Sequence, residues 1–82
     1  MDERDLQLLV QVRRMAASGE ARQLREAADL SRADVGGTVG VDQSTIWKWE
    51  TGERRPRGPA ALRYARVLQM LGRDTPTPAG PV

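Results

Sequence analysis

Apolar residues recur every three or four positions along most of this 82-residue chain, and no segment alternates apolar and polar residues as a half-buried strand does. That spacing matches the turn of an α-helix. The sequence therefore predicts an all-α fold without internal repeats. The helices are predicted at residues 2–17, 20–29, 32–39, 43–51 and 59–71.

Capping residues mark the ends of the third and fourth predicted helices. Ser31 and Asp42 stand before them, where a side-chain oxygen can accept a free backbone N–H. Gly40 and Gly52 follow them, and glycine readily adopts the left-handed conformation that ends a helix. Gly36 and Gly37 fall inside the third helix, at a cost of about 1 kcal/mol each relative to alanine. We expect a close helix approach at one of the two to compensate.

The composition indicates a small binding protein rather than an enzyme. A chain of this length forms one domain, predicted over residues 1–71, with little room for a deep cleft. Cysteine and histidine are absent, which excludes disulfides, a thiol nucleophile, an imidazole base and an ordinary zinc site. We therefore expect no catalysis, no metal and no other cofactor. Residues 72–82, rich in proline, glycine and threonine, are predicted to form a disordered tail.

No signal peptide is evident, and no apolar run approaches the roughly 20 residues that a bilayer span requires. We therefore expect a cytoplasmic protein that does not bind membranes.

The first helix, residues 2–17, spreads its apolar residues over about 220°, wider than the stripe of a helix packed on one neighbour. Either it lies deep in its own domain, or its spare face, which includes Leu6 and Val10, makes a dimer contact.

Positive charge is concentrated in the second half of the chain. Twelve of the thirteen cations are arginine, although the net charge is only +2. A GC-rich genome would also favour arginine, but the guanidinium fork matches phosphate and guanine edges. Residues 43–66 carry six cations against two carboxylates. This local excess favours an acidic partner.

Residues 32–51 have the layout of a helix-turn-helix: a short helix, a turn containing glycine, and a second helix with a polar N-terminal half. The first helix braces the second, whose N-terminal residues point into a DNA major groove about 12 Å wide. Here the chain resembles the phage repressor, Cro and Xre-like family of DNA-binding domains. The likeness runs from about Leu24 to Leu71, through LREAADLSRADVGGTVGVDQSTIWKWETGERRP and the following helix. It is carried by the "WE.G" ending, the apolar residue after the turn glycine, and the preceding arginine.

The resemblance implies a five-helix bundle of the repressor-like type, with residues 32–39 as the bracing helix and 43–51 as the recognition helix. It also implies an interior ion pair between Arg25 and Glu50. The helix at 2–17 is an addition to the usual bundle, and the family implies no role for it.

A helical wheel separates the two tryptophans of the recognition helix. At about 100° per residue, Ile46 and Trp49 fall on the inward face, and Trp47 falls on the opposite face. Five residues are predicted to face outward: Gln43, Ser44, Trp47, Lys48 and Thr51.

Four of these outward residues are candidate base contacts. Gln43 can bond adenine at N6 and N7, Lys48 can reach guanine or a phosphate, and Ser44 can serve a base edge or a phosphate. Trp47 either presses on thymine methyls or deoxyribose, or anchors a protein partner. Candidate phosphate contacts are Arg32, at the start of the bracing helix, together with Thr51, Arg54, Arg55 and Arg57.

These features predict a sequence-specific regulator of transcription that binds double-stranded DNA, of phage or mobile-element type, associated with the nucleoid of a bacterial host cell. One recognition helix covers few base pairs, so we expect a homodimer on a pseudo-palindrome. The alternative is a protein-interaction module, such as an antitoxin or a host-targeting phage protein, which uses Trp47 and the first helix.

Overall fold

The computed structural model describes residues 1–74, and in that part of the chain all regular secondary structure is helical. The all-α prediction is therefore confirmed. The five helices are α1 (Glu3–Ser18), α2 (Glu20–Ala27), α3 (Arg32–Val39), α4 (Gln43–Thr51) and α5 (Gly58–Asp74).

The bounds of α3 and α4 are those predicted, α1 begins and ends one residue later than predicted, and α2 and α5 differ at their ends. α2 ends two residues early because the N–H of Ala28 bonds back to carbonyls of the last turn and Asp29 takes a φ of 58°. α5 continues through Gly72, where the tail was predicted to begin. Leu71 is buried, and this anchors the last turn of the helix. The predicted tail beyond Asp74, residues 75–82, lies outside the described residues.

The core lies where α1, α4 and α5 meet. Val12 of α1, Ile46 of α4 and Leu68 of α5 are almost fully buried. The rings of Trp49 and Tyr64 pack with their centroids 4.9 Å apart. Burial raises the pKa of the Tyr64 hydroxyl. The added helix α1 contacts α2, α4 and α5, so it is part of the core.

The turn between α3 and α4 depends on one of the two adjacent glycines. A Cβ at Gly36 would lie 2.6 Å from the carbonyl oxygen of Val41, whereas a Cβ at Gly37 would meet no described atom within 4 Å. The carbonyl of Gly36 also accepts the N–H of Gly40 at 2.7 Å and that of Val41 at 2.9 Å. The predicted close approach therefore occurs at Gly36, but with the turn backbone instead of a neighbouring helix.

None of the helices within residues 1–74 is both long and apolar enough to cross a bilayer.

Candidate nucleic-acid interface

Asp42 holds the N-terminus of α4 in a single arrangement. Its Oδ1 accepts the backbone N–H of Thr45 at 2.9 Å, the Thr45 hydroxyl at 2.8 Å and the Ser44 hydroxyl at 2.9 Å. The hydrogen bonds from Thr45 and then that from Ser44 lower the pKa of Asp42. The start of α4, the predicted recognition helix, is therefore firmly positioned.

The two faces of α4 separate as the wheel predicts. Ile46 is 0% exposed and Trp49 is 5% exposed, whereas Trp47 is 42% exposed. Lys48 is half-buried, and the remaining outward positions, Gln43, Ser44 and Thr51, are exposed. The hydroxyl of Thr51 donates to the carbonyl of Lys48. The five residues predicted to face outward thus form one surface, which we call the outer face of α4.

An ion pair fixes the inner side of α4 to α2. Arg25 donates from Nε to Glu50 Oε2 at 2.6 Å and from Nη2 to Glu50 Oε1 at 3.0 Å. Its Nη1 donates to the carbonyl of Leu30 at 2.8 Å. The Glu50 side chain is 1% exposed. The hydrogen bonds from Arg25 to Glu50 raise the pKa of the guanidinium. This is the pairing that the family resemblance implies.

Arg32 joins the same carboxylate. Its Nε donates to Glu50 Oε1 at 3.1 Å, and its side chain is 34% exposed. The sequence predicted a phosphate contact for Arg32, and that role stays a prediction. The structure adds a second role, because Arg32 links α3 to the ion pair between α2 and α4.

Three loop arginines after α4 converge with one arginine of α1. Arg13, Arg54, Arg55 and Arg57 line a cleft of about 360 Å³. We call these four residues the arginine cleft. The Nε of Arg13 donates to the carbonyl of Pro56 at 2.8 Å. Among the lining residues there is no carboxylate to neutralise the four charges, so the cleft suits an anion.

The loop that carries three of the cleft arginines is held in place by contacts with the rest of the domain. Pro56 is buried, and the N–H of Arg54 donates to the carbonyl of Lys48 at 3.1 Å. The cleft is thereby tied to the C-terminal end of α4. Sequence reasoning missed Arg13, although its position as a charged residue within the apolar arc of α1 was a signal. Arg63 is another of the six cations in residues 43–66. Its Nε donates to the carbonyl of Val39 and so caps the C-terminal end of α3.

No cluster of acidic side chains within residues 1–74 is suited to hold a metal ion.

A family model described as "Helix-turn-helix domain" matches residues 16–77. The chain belongs to this helix-turn-helix family. It is thus a DNA-binding domain of helix-turn-helix type, in agreement with the resemblance to repressor, Cro and Xre-like domains. No curated protein and no solved structure matches it. Most of α1 precedes the matched part of this helix-turn-helix domain.

Proposed function

We propose that the protein is a sequence-specific transcriptional regulator that places α4 in the major groove of double-stranded DNA. The observation that carries this proposal is the outer face of α4, which has four exposed side chains, is firmly positioned and carries no carboxylate. Three of the four residues of the arginine cleft lie in the loop that follows α4. A groove-reading surface beside a phosphate-binding surface is the arrangement that specific recognition of duplex DNA requires.

The outer face supplies the base contacts. Gln43 donates to and accepts from adenine, and Lys48 donates to guanine O6 and N7. The Ser44 hydroxyl already donates its proton to Asp42, so its oxygen is free to accept from an exocyclic amine of cytosine or adenine. Trp47 offers an apolar surface to thymine methyls or deoxyribose.

The arginines supply affinity that does not depend on sequence. Arg54, Arg55 and Arg57 contact phosphates, and Arg13 adds a fourth cation from α1. Arg32 and Thr51 approach the backbone at the two edges of the helix-turn-helix. Each phosphate neutralised releases condensed counterions, so binding weakens as the salt concentration rises.

A single α4 covers too few base pairs for tight binding, so the regulator acts as a homodimer. Its two recognition helices would meet half-sites about 34 Å apart on a pseudo-palindrome. The repressor-like arrangement of the helices supports a role in a phage or mobile element. Such a regulator would act at the nucleoid, in the cytoplasm of a bacterial host cell.

Selection of bound duplexes from a random pool tests this proposal, followed by titration of the selected duplex and a scrambled duplex across salt concentrations. We expect an enriched motif with two-fold symmetry, and log affinity that falls linearly with log salt for both duplexes. A pool that shows no enrichment, together with affinity insensitive to salt, would rule the proposal out.

The second candidate is a protein-interaction module, such as an antitoxin or a host-targeting phage protein. It is favoured by the exposure of Trp47 on α4 and of Leu6 and Val10 on α1, which are large apolar side chains at the surface. This candidate predicts that Trp47 fluorescence responds to a protein partner and not to duplex DNA.

A further inference from the structure

α1 carries an apolar stripe that the domain does not use. Leu9, Val12 and Met15 are buried, whereas Leu6 is 53% exposed and Val10 is 42% exposed. The two exposed side chains border an open groove of about 530 Å³ that also includes Arg14. α1 is therefore built into the core on one side and apolar at the surface on the other.

A charged residue flanks the two apolar residues of this stripe at each end. Glu3, Leu6, Val10 and Arg14 are all exposed and follow one another at intervals of three, four and four residues. Residues at these intervals lie on one side of a helix. The order along the stripe is acidic, apolar, apolar, basic, and we call these four residues the α1 stripe.

We propose that the α1 stripe is the homodimer interface, in which α1 pairs antiparallel with α1 of a second copy about a two-fold axis. In that arrangement Leu6 contacts Val10 of the second copy and Glu3 contacts its Arg14. Each contact occurs twice, as the two-fold symmetry requires. The charges select this orientation, because a parallel pair would place Glu3 against Glu3 and Arg14 against Arg14.

The size of the stripe determines the strength of the dimer. α1 has 16 residues and is about 24 Å long. One pair of such helices buries less than the roughly 800 Å² per partner of a standard interface. We therefore expect a dimer that dissociates in the micromolar range and is completed on DNA, where the proposed function places two copies side by side.

Charge reversal tests the pairing in the absence of DNA, so its outcome does not depend on the proposed function. Sedimentation equilibrium would compare the wild type with Glu3→Arg, Arg14→Glu and the double variant. Each single reversal turns both charge pairs of the dimer repulsive, and we expect the dissociation constant to rise about tenfold. The double variant restores opposite charges, and we expect it to regain most of the wild-type affinity.

A loss of helix stability would give a different result. Both reversals oppose the dipole of α1, so damage to the helix itself would add up in the double variant. Circular dichroism provides the control for folding. A double variant as monomeric as the single variants, or a wild type that remains monomeric at about 1 mM, would overturn the proposal.

Cross-linking gives an independent measurement, because the chain contains no cysteine. Gln7 is exposed on α1 near the level of the proposed two-fold axis, so Gln7→Cys should form a disulfide-linked dimer on mild oxidation. Gln23→Cys, exposed on α2, is the matched control and should cross-link at least about tenfold more slowly. Equal rates for the two variants would contradict the interface.

Discussion

Two pairs of identical residues in the helix-turn-helix show how differently its two sides are used. Trp49 and Gly36 face inward, the first against Tyr64 and the second against the carbonyl of Val41. Their counterparts Trp47 and Gly37 face outward. The angle around the helix, and not the residue type, therefore decides whether a residue is packed in the core or lies at the surface.

The inner side is fixed by contacts with α2 and α5, whereas most side chains of the outer side lie at the surface. Substitutions on the inner side should therefore change the free energy of unfolding, and those on the outer side should change DNA binding. Variants of the paired residues test this separation directly.

Substitutions of the two tryptophans should differ most in their effect on the free energy of unfolding. Trp49→Ala removes a buried ring and should lower the free energy of unfolding by about 3–5 kcal/mol. Trp47→Ala, on the exposed face, should change it by less than about 0.5 kcal/mol. Urea denaturation followed by circular dichroism measures both. Equal losses would mean that Trp47 belongs to the core and would remove it from the proposed DNA contacts.

The carboxylate of Glu50 should have the next largest effect on stability. Glu50→Gln leaves the buried guanidinium of Arg25 with only the exposed carboxylate of Glu26, 4.0 Å away, as a counter-charge, and should cost about 3 kcal/mol. Glu53→Gln is the matched control, because Glu53 is exposed, and it should have almost no effect. Urea midpoints of the two variants give the comparison, and similar midpoints would show that the ion pair is not needed for folding.

Alanine substitutions of the two adjacent glycines should change the free energy of unfolding in opposite directions. Gly36→Ala places a methyl group 2.6 Å from the Val41 carbonyl and should destabilise the domain by about 1–3 kcal/mol. Gly37→Ala meets no described atom within 4 Å, and it should stabilise α3 by about 0.5–1 kcal/mol. Thermal unfolding of both variants distinguishes the signs. A stable Gly36→Ala variant would mean that the turn can move away from α3.

Substitutions on the outer face and in the arginine cleft should affect DNA affinity differently. Gln43→Ala or Lys48→Ala should weaken binding to the selected duplex by about 1–3 kcal/mol and leave binding to a scrambled duplex almost unchanged. Arg55→Ala should weaken both. Fluorescence anisotropy with the two duplexes measures this. Equal losses on both duplexes for Gln43→Ala would remove Gln43 from the base-reading residues.

Sequence patterns were sufficient for features that depend on local periodicity. The helices and the separation of Trp47 from Trp49 follow from spacing along one segment. The pairing of Arg25 with Glu50 came from the family resemblance. The end of α5 was missed because Gly72 is typical of a helix stop, whereas burial of Leu71 by tertiary contacts extends the helix.

Features that depend on how distant segments meet could not be predicted. The two glycines are equivalent in sequence, and only the path of the turn shows that Gly36 is the contact. Arg32 lies beside Glu50 because α3 and α4 fold together. Arg13 reaches Pro56 across 43 residues of chain, a distance over which periodicity carries no information.

Substitution of Arg13 should have the smallest effect, and it tests whether the proposed DNA-binding surface extends to α1. Arg13→Gln should weaken binding to every duplex by a few fold and reduce the slope of log affinity against log salt by about 0.9. Arg4→Gln removes an exposed charge from α1 outside the arginine cleft and should leave the slope unchanged.

The salt slope separates a phosphate contact from a merely structural role, because Arg13 also holds the loop through Pro56. If Arg13 only positions the loop, Arg13→Gln would lower affinity while the slope stays at the wild-type value. Arg13→Lys, which keeps the charge but loses the guanidinium fork, should retain the slope. A slope that is the same for all three variants and the wild type would confine the DNA contacts to the helix-turn-helix and its loop, with α1 serving the core and the dimer alone.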